Sequence, residues 1–418
     1  MSGERRITHR SVVLIAMITG FALLAGGVAS AAPGDVDLSF GDAGAKTVPV
    51  GSAAVGGIVQ RSDGTYVVGG STGNSAITVA LTRTGQILGS YGTGGMSSLP
   101  VPGSSSVTIT DVAMRSDERV VVAGYESPVS GSNRFVVARF RPGGAPDRSF
   151  SGDGVAKIGF PQGAAYGYGV AVQPDGRVVV VGEVDPTSGV SNPAIARLDP
   201  NGTLDRTFGD HGIKVVKVPD GVRAYDSPWR VVVTAHGKLA MAGWAGRGNG
   251  NYKTLAMRLK PGGVPDPTFS GDGFAIVDAD GADNYAYGLA KDGDELVLGL
   301  HTSADEAGFI RLTGNGKRDA TFGGDGVVIH ALSSAWEVDS VAVRADHRIV
   351  GANGRSGGPN VVQLKAGGKL DGSFGTGGEA AGPLTGAQAA DVIVLANGKI
   401  VVAGTNSGDV IAARFLGP

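Results

Sequence analysis

The chain has 418 residues, of which 72 are glycine, 20 are proline and none is cysteine. So much glycine requires many turns, which argues against a helical enzyme and against a doubly wound nucleotide-binding fold, while 42% hydrophobic residues suffice for a large core. The formal charge of −2 shows no basic excess for nucleic-acid binding, and the lack of cysteine excludes disulfides and thiolate metal sites.

The first 31 residues have the pattern of a secretory signal peptide. Three arginines precede an apolar stretch at 12–25, and Ala29 and Ala31 supply the small residues of a signal-peptidase site. The apolar stretch is too short to span a membrane and contains glycine. We expect cleavage after Ala31, leaving a mature protein without a membrane span.

One phrase, Asp-x-Ser/Thr-Phe-Gly-x-x-Gly, recurs with variations along the rest of the chain. Its aromatic anchors are Phe40, Tyr91, Phe150, Phe208, Phe269, Phe322 and Phe374. The spacing of 51 to 61 residues is longer than a solenoid coil and close to a propeller blade.

Each unit contains four extended segments. In the third unit these lie at 155–160, 168–173, 177–181 and 194–198, with a Pro-Asp-Gly turn between the second and third. The sequence therefore predicts an all-β, seven-bladed β-propeller over 35–418, with four antiparallel strands per blade. The units begin near residues 37, 88, 147, 205, 266, 319 and 371. Two consecutive β-sandwiches are the alternative fold, but they would not explain a phrase common to every unit.

An arginine stands eight positions before the motif aspartate in most units. The pairs are Arg139 with Asp147, Arg197 with Asp205, Arg258 with Asp266, and Arg311 with Asp319. Both members are missing together in the second unit, where Ala80 and Leu88 stand, which indicates direct contact. Arg414 has no aspartate after it and Asp37 has no arginine before it, so we expect these two to meet. Phe40 would then pack at the seam between the last and first blades, where the N- and C-terminal segments close the ring.

The repeated phrase, together with hairpins such as 397–404 and strands such as 196–198, resembles the delta-60 repeat family of bacterial β-propellers. The resemblance covers residues 35–418 and implies an exported or surface-associated bacterial propeller. It supplies no catalytic residues.

Five histidines follow the predicted cleavage site, and three of them occupy turn positions. The other two, His301 and His330, are expected to be ordinary packed or surface groups. The Gly-Asp-Gly turns each supply one carboxylate, far from the set that Ca²⁺ requires, and no phosphate-binding loop is present. We therefore expect neither metal nor cofactor.

Aromatic residues that do not repeat in every unit cluster at the start of the second extended segment in the third to sixth units. They are Tyr166, Tyr168, Tyr225, Trp229, Tyr285, Tyr287 and Trp336. Neighbouring units form neighbouring blades, so these rings should lie in one sector, beside the polar residues Asp226, Asp283, Asn284 and Glu337. Rings beside hydrogen-bonding groups suit a sugar or a peptide, although packing between blades would also explain some of them.

The sequence thus predicts an exported, non-catalytic propeller, monomeric, that binds an extracellular carbohydrate or protein through one face. A hydrolase or lyase acting on a polysaccharide or lactone is the alternative, with Asp226, Asp283, Glu337 and Asp339 as candidate acid–base groups. A third interpretation is a structural surface module without a small ligand.

Overall fold

The computed structural model describes residues 31–186, 190–219, 225–246, 251–333, 336–354 and 358–418. Residues 32–418 form one compact unit. The predicted signal peptide lies outside the described residues, apart from Ala31.

The described residues form seven four-stranded antiparallel sheets, which confirms the predicted propeller. Blade 1 holds β2 to β5, blade 2 holds β6 to β9, blade 3 holds β10 to β13 and blade 4 holds β14 to β17. Blade 5 holds β18 to β21, blade 6 holds β22 to β25, and blade 7 holds β26 to β28 with β1. The strands in chain order are β1 Ala45–Val48, β2 Ala54–Gln60, β3 Tyr66–Thr72, β4 Ser75–Leu81, β5 Met96–Pro100, β6 Ser104–Met114, β7 Val120–Pro128, β8 Arg134–Phe140, β9 Val155–Ile158, β10 Gly163–Val172, β11 Val178–Pro186, β12 Asn192–Leu198, β13 Ile213–Val215, β14 Ser227–Val233, β15 Leu239–Gly246, β16 Tyr252–Leu259, β17 Phe274–Val277, β18 Asn284–Asp292, β19 Glu295–Thr302, β20 Ala307–Leu312, β21 Val327–His330, β22 Val338–Val343, β23 Ile349–Asn353, β24 Val361–Leu364, β25 Glu379–Ala380, β26 Gln388–Val394, β27 Ile400–Asn406 and β28 Asp409–Phe415.

Local sequence explains the strands and their turns. In blade 3 the β-branched run of β11 follows the Pro-Asp-Gly turn, where Gly176 adopts φ +85°, a conformation that favours glycine. The Asp175 carboxylate accepts the backbone N–H of Arg177 at 3.0 Å, which fixes the turn. Blades 1, 2, 6 and 7 use the same arrangement, in which Asp63, Asp117, Asp346 or Asn397 accepts the backbone N–H two residues further on. Hydrophobic clusters fill the space between adjacent sheets.

The blades are offset by one strand from the repeated units. The segment after each motif is the outermost strand of the preceding blade, so β9 at 155–158 belongs to blade 2 and not to the blade of β10. The same offset places β1 in blade 7, where Ala45 pairs with Ala413. An N-terminal strand therefore completes the C-terminal blade and closes the ring.

Most blade junctions share a set of three residues that we call the junction latch: an arginine, the motif aspartate and the motif phenylalanine. In blade 2, Arg139 Nε donates to Asp147 at 2.8 Å, and the guanidinium lies 4.5 Å from the centre of the Phe150 ring. Arg139 Nη1 also donates to the backbone carbonyl of Pro200 in blade 3. Each latch therefore joins two neighbouring blades.

The junction between blades 7 and 1 carries a latch built from both ends of the described chain. Arg414 Nε donates to Asp37 at 2.7 Å, Arg414 Nη1 donates to the Arg83 carbonyl of blade 1, and the guanidinium lies 4.7 Å from the centre of the Phe40 ring. Phe40 is fully buried among side chains of both blades. Burial acts to raise the pKa of Asp37, but hydrogen bonds from Lys399, Ser39 and Arg414 hold it well below its usual range.

Candidate functional site

Each innermost strand contains a β-bulge at the same place, and β6 has a second register shift near its start. The bulged residue has no partner in the neighbouring strand, and the register shifts around it in all seven blades. These bulged residues are Gly56, Thr110, Tyr168, Trp229, Tyr287, Asp339 and Ala390. All of them except Tyr168 line one cavity of about 380 Å³, which identifies the cavity as the mouth of the central channel.

The two halves of the mouth differ in size. Blades 3, 4 and 5 contribute Tyr168, Trp229 and Tyr287, whereas blades 7, 1 and 2 contribute Ala390, Gly56 and Thr110. The cavity exists because the large side chains of one half face small ones in the other. A volume of this size is within the range of small-molecule sites.

The large half belongs to a continuous group of rings that we call the aromatic wall: Tyr125, Tyr166, Tyr168, Trp229, Trp244, Tyr252, Tyr285 and Tyr287. Tyr168 stacks on Trp229 with ring centres 4.1 Å apart, and Trp229 meets Tyr287 edge-on at 4.9 Å. All eight side chains are partly exposed. The wall therefore offers apolar surface to a ligand while its own packing fixes the rings.

Burial raises the pKa of four tyrosines of the wall, Tyr168, Tyr252, Tyr285 and Tyr287. Tyr168 donates its hydroxyl to Glu183 Oε1 at 3.0 Å, and burial raises the pKa of Glu183. Burial, with the nearby Glu183 carboxylate, raises the pKa of Tyr168, and burial with Asp339 raises that of Tyr287 to about 12. Near neutral pH these tyrosines present neutral hydroxyl groups.

Five of the seven aromatic residues predicted from the sequence lie in the wall. Tyr225 is 49% exposed and makes no ring contact with a described residue. Trp336 is fully buried between blades 5 and 6, against residues such as Val338 and Phe309. It therefore lies in the core and does not line the cavity.

The four predicted polar residues also differ in how close they lie to the cavity. Asp226 is buried and accepts the Gly246 N–H at 3.2 Å, while Asp283 accepts the Tyr252 N–H at 2.7 Å. Asn284 is buried and binds Asp280 at 2.8 Å, as well as the backbone of its own loop. These three shape loops beside the wall, and only Glu337 among the four lies beside a cavity-lining residue.

That residue is His301, which lies in the cavity wall between side chains of blades 5 and 6. Its Nε2 is hydrogen-bonded to Asp339, its Nδ1 lies 3.8 Å from Glu337 Oε2, and its ring centre lies 3.9 Å from that of Tyr287. An imidazole oriented by a carboxylate can transfer a proton. His330 differs, because its Nε2 contacts the Gly368 carbonyl at 2.8 Å and it does not line the cavity.

Three charged residues that follow the bulges form what we call the channel floor: Asp111, Arg230 and Asp391. Arg230 lines the cavity and reaches from blade 4 to the Thr110 carbonyl of blade 2 at 3.0 Å. Burial raises the pKa of Asp111 to about 6 and raises that of Asp391, and in both cases the attraction of Arg230 opposes the rise. Three blades thus place charge at one point of the channel.

Sequence reasoning missed Arg230, the channel floor carboxylates and three members of the wall, Tyr125, Trp244 and Tyr252. Comparing equivalent positions of the second strand in each blade would have found some of them. Tyr125, Trp244 and His301 occupy the same position of their second strands, opposite Thr108, Ser227 and Tyr285.

No group of three or more His, Asp or Glu side chains among the described residues is arranged to hold a metal ion. No helix among them is long and apolar enough to cross a membrane.

Comparison with known proteins supports a propeller repeat protein. The model of a β-propeller domain of unknown function, DUF5122, matches residues 115–150, 173–208 and 236–269. Each matched segment runs from a hairpin turn to a motif phenylalanine, so it spans the part of the repeat that carries a latch. No curated protein matches the chain.

Solved structures of similar fold include two lyases and a further β-propeller domain. A catalytically inactive virginiamycin B lyase from Staphylococcus aureus, with quinupristin, is 12% identical, with a TM-score of 0.54 over 89% of this chain and 99% of that one. The polysaccharide lyase Uly1 is 11% identical, with a TM-score of 0.50 over 89% and 91%. The propeller domain of Cps50 (Swd1) from Myceliophteria thermophila is 12% identical, with a TM-score of 0.51 over 88% and 98%. At these identities the likeness concerns the fold alone.

Proposed function

We propose that this protein is an exported, non-catalytic propeller that binds extracellular carbohydrate at the mouth of its channel. The supporting observation is the asymmetry of the bulged residues, which sets an aromatic wall opposite three small residues. A sugar ring can place its apolar face on Trp229 while its hydroxyls meet the polar groups of the cavity. The delta-60 resemblance and the signal-peptide pattern support export, which N-terminal sequencing of the secreted protein would test by finding Ala32 first.

The binding proposal is tested with a glycan array, followed by titration calorimetry with any glycan that binds. Trp229→Ala removes part of the wall, and Ala390→Phe fills the small half without touching the wall. Both should weaken binding by at least about tenfold, because each removes one side of the cavity.

Val264→Phe is the matched control for Ala390→Phe, since Val264 is exposed in a turn and does not line the cavity. It should bind as the unmodified protein does. Circular dichroism and the melting temperature establish that each variant is folded. Equal binding by the Ala390→Phe and Val264→Phe variants would show that the cavity is not the site.

A second function, proton-transfer chemistry on a polysaccharide or lactone, is favoured by the hydrogen bond between His301 and Asp339 in the cavity wall. The fold neighbours include a virginiamycin B lyase and a polysaccharide lyase, so quinupristin and polysaccharides are reasonable first substrates for a screen. Gly354→Ala is a precise probe, because its Cβ would lie 1.4 Å from Asp339 Oδ2 and would displace that carboxylate. Activity abolished by both His301→Ala and Gly354→Ala would support catalysis, and turnover that survives both would exclude the pair.

A further inference from the structure

We infer that the channel floor makes the cavity selective for uncharged sugars: Arg230 donates to their hydroxyls, and the carboxylates of Asp111 and Asp391 exclude acidic sugars. This inference rests on the carbohydrate-binding function proposed above. It concerns which sugar enters the site, and it follows from how the floor charges are arranged.

Arg230 has hydrogen-bond donors to offer. A guanidinium carries five N–H groups. Among the described residues, the only side-chain hydrogen bond of Arg230 is from Nη1 to the Thr110 carbonyl, at 3.0 Å. Because Arg230 lines the cavity and is only partly buried, its remaining N–H groups are available to acceptor oxygens of a ligand.

Two carboxylates accompany that single guanidinium. Asp111 accepts the Val170 N–H at 2.7 Å, and Asp391 accepts the Ile58 N–H at 3.0 Å and the Ser340 hydroxyl at 2.7 Å. Backbone groups of blades 3 and 1 therefore hold both carboxylates in place.

A glycine in blade 1 creates the space for one of them. A Cβ atom on Gly57 would lie 2.9 Å from Asp391 Oδ2, closer than atoms normally approach. The lack of a side chain at Gly57 therefore leaves room for the Asp391 carboxylate.

The charge balance decides which ligand fits. A sugar hydroxyl accepts an N–H of Arg230 without adding charge. A uronate would bring a third carboxylate to a guanidinium that already has two beside it, and like charges that approach in a partly buried site repel strongly. Proton uptake by Asp111, whose pKa burial raises to about 6, reduces this repulsion only at acidic pH.

Two matched pairs of probes test the inference: methyl β-glucoside against methyl β-glucuronoside, and methyl α-galactoside against methyl α-galacturonoside. Ligand-observed NMR titration at pH 7.5 measures the affinity of each. The neutral member of a pair that binds should bind at least about tenfold more tightly than its uronate. A uronate that binds as well as its neutral partner would overturn the inference.

The double variant Asp111→Asn/Asp391→Asn removes the flanking charge and leaves Arg230 in place. It should bring the affinities of the pair within about threefold of each other or reverse their order. Arg230→Gln should weaken the neutral sugar, and the melting temperature of each variant shows whether it folds. An unchanged preference in the double variant would also overturn the inference.

Failure of the proposed function would give a different result. If no neutral or acidic probe binds and the glycan array is empty, the carbohydrate proposal fails. If sugars bind, Trp229→Ala abolishes that binding and the uronates are not excluded, only the inference about the channel floor fails.

Discussion

The junction latches and the channel mouth are built on the same blades, yet they differ in how they use the repeat. Five junctions hold an arginine over a motif phenylalanine in nearly identical geometry, with 4.5 to 5.0 Å between guanidinium carbon and ring centre. At the mouth, one structural position holds glycine, threonine, tyrosine, tryptophan, aspartate or alanine. Positions that keep their residue maintain the ring, and positions that vary give the site its chemistry.

Electrostatics separates the two regions as well. At a latch the aspartate faces its arginine and additional donors, and although burial acts to raise the pKa of Asp147, Ser149 and Arg139 lower it to about 2. At the channel floor two carboxylates accompany one arginine, and burial raises the pKa of Asp111 to about 6. The latches therefore stabilise the fold through charge, whereas the floor holds charge at a cost to stability.

The largest effect should come from the latch that closes the ring. Arg414→Ala and Arg197→Ala remove equivalent arginines, and in each case the aspartate keeps a second cation, Lys399 beside Asp37 or Arg177 beside Asp205. Each should lower the free energy of unfolding by about 2 kcal/mol, measured by denaturant titration. Only Arg414→Ala should also raise amide hydrogen exchange in β1, because blade 3 remains joined through the chain on both sides. Unchanged exchange in β1 would mean that the seam does not depend on its latch.

A smaller effect is expected where the latch is missing. Blade 1 has Ala80 and Leu88 at the arginine and aspartate positions, and Tyr91 there donates its hydroxyl to Thr78 at 2.9 Å. Ala80→Arg and Leu88→Asp should each destabilise alone, because each buries an unpaired charge. The double variant should recover about 1 kcal/mol relative to the sum of the singles. A double-mutant cycle measured by thermal unfolding tests this, and strictly additive effects would contradict it.

The smallest predicted effect is the dependence of stability on pH. Latch aspartates have lowered pKa values, so their contribution is present above about pH 4, the usual aspartate value, and is lost as pH falls toward 2. Asp111 has a raised pKa, so its contribution is present below about pH 4 and is lost as pH rises through 6. The stability of the fold should therefore be greatest at about pH 4, where the two ranges meet.

Asp111→Asn isolates the second contribution. Asparagine carries no charge, so the variant should lose less stability as pH rises from about 4 to 6 and should keep the acid decline due to the latches. Some loss should remain, because Asp391 and Glu183 also have raised pKa values. Melting temperatures of both proteins across this range provide the measurement. A decline of the same size in the variant would assign it to another group.

The repeat made much of the fold predictable. The number of motifs predicted the number of blades. The joint absence of arginine and aspartate at Ala80 and Leu88 predicted that the two residues are in contact in the other blades. What the repeat did not show was the offset of one strand between unit and blade, because that offset depends on how the ring closes.

The site was less predictable because the bulge breaks the alternation on which strand interpretation depends. Arg230 directly follows Trp229, and strict alternation would send the two to opposite faces, yet both line the cavity. Asp226, Asn284 and Trp336 each stand three positions before a bulged residue. All three are buried, so they do not line the cavity. If the position of the bulge had been known, these buried residues could have been distinguished from the wall residues Tyr166 and Tyr285, which stand two positions before it.

The pairing of residue 45 with residue 413 has a consequence for how the molecule assembles. During synthesis β1 is made before any other strand of the propeller, but its partner β28 is made after all the other strands. Contacts between such distant parts of a chain form slowly, and the edge of β28 has no neighbour until they do. The earliest strand to be synthesised is therefore expected to be among the last to become ordered.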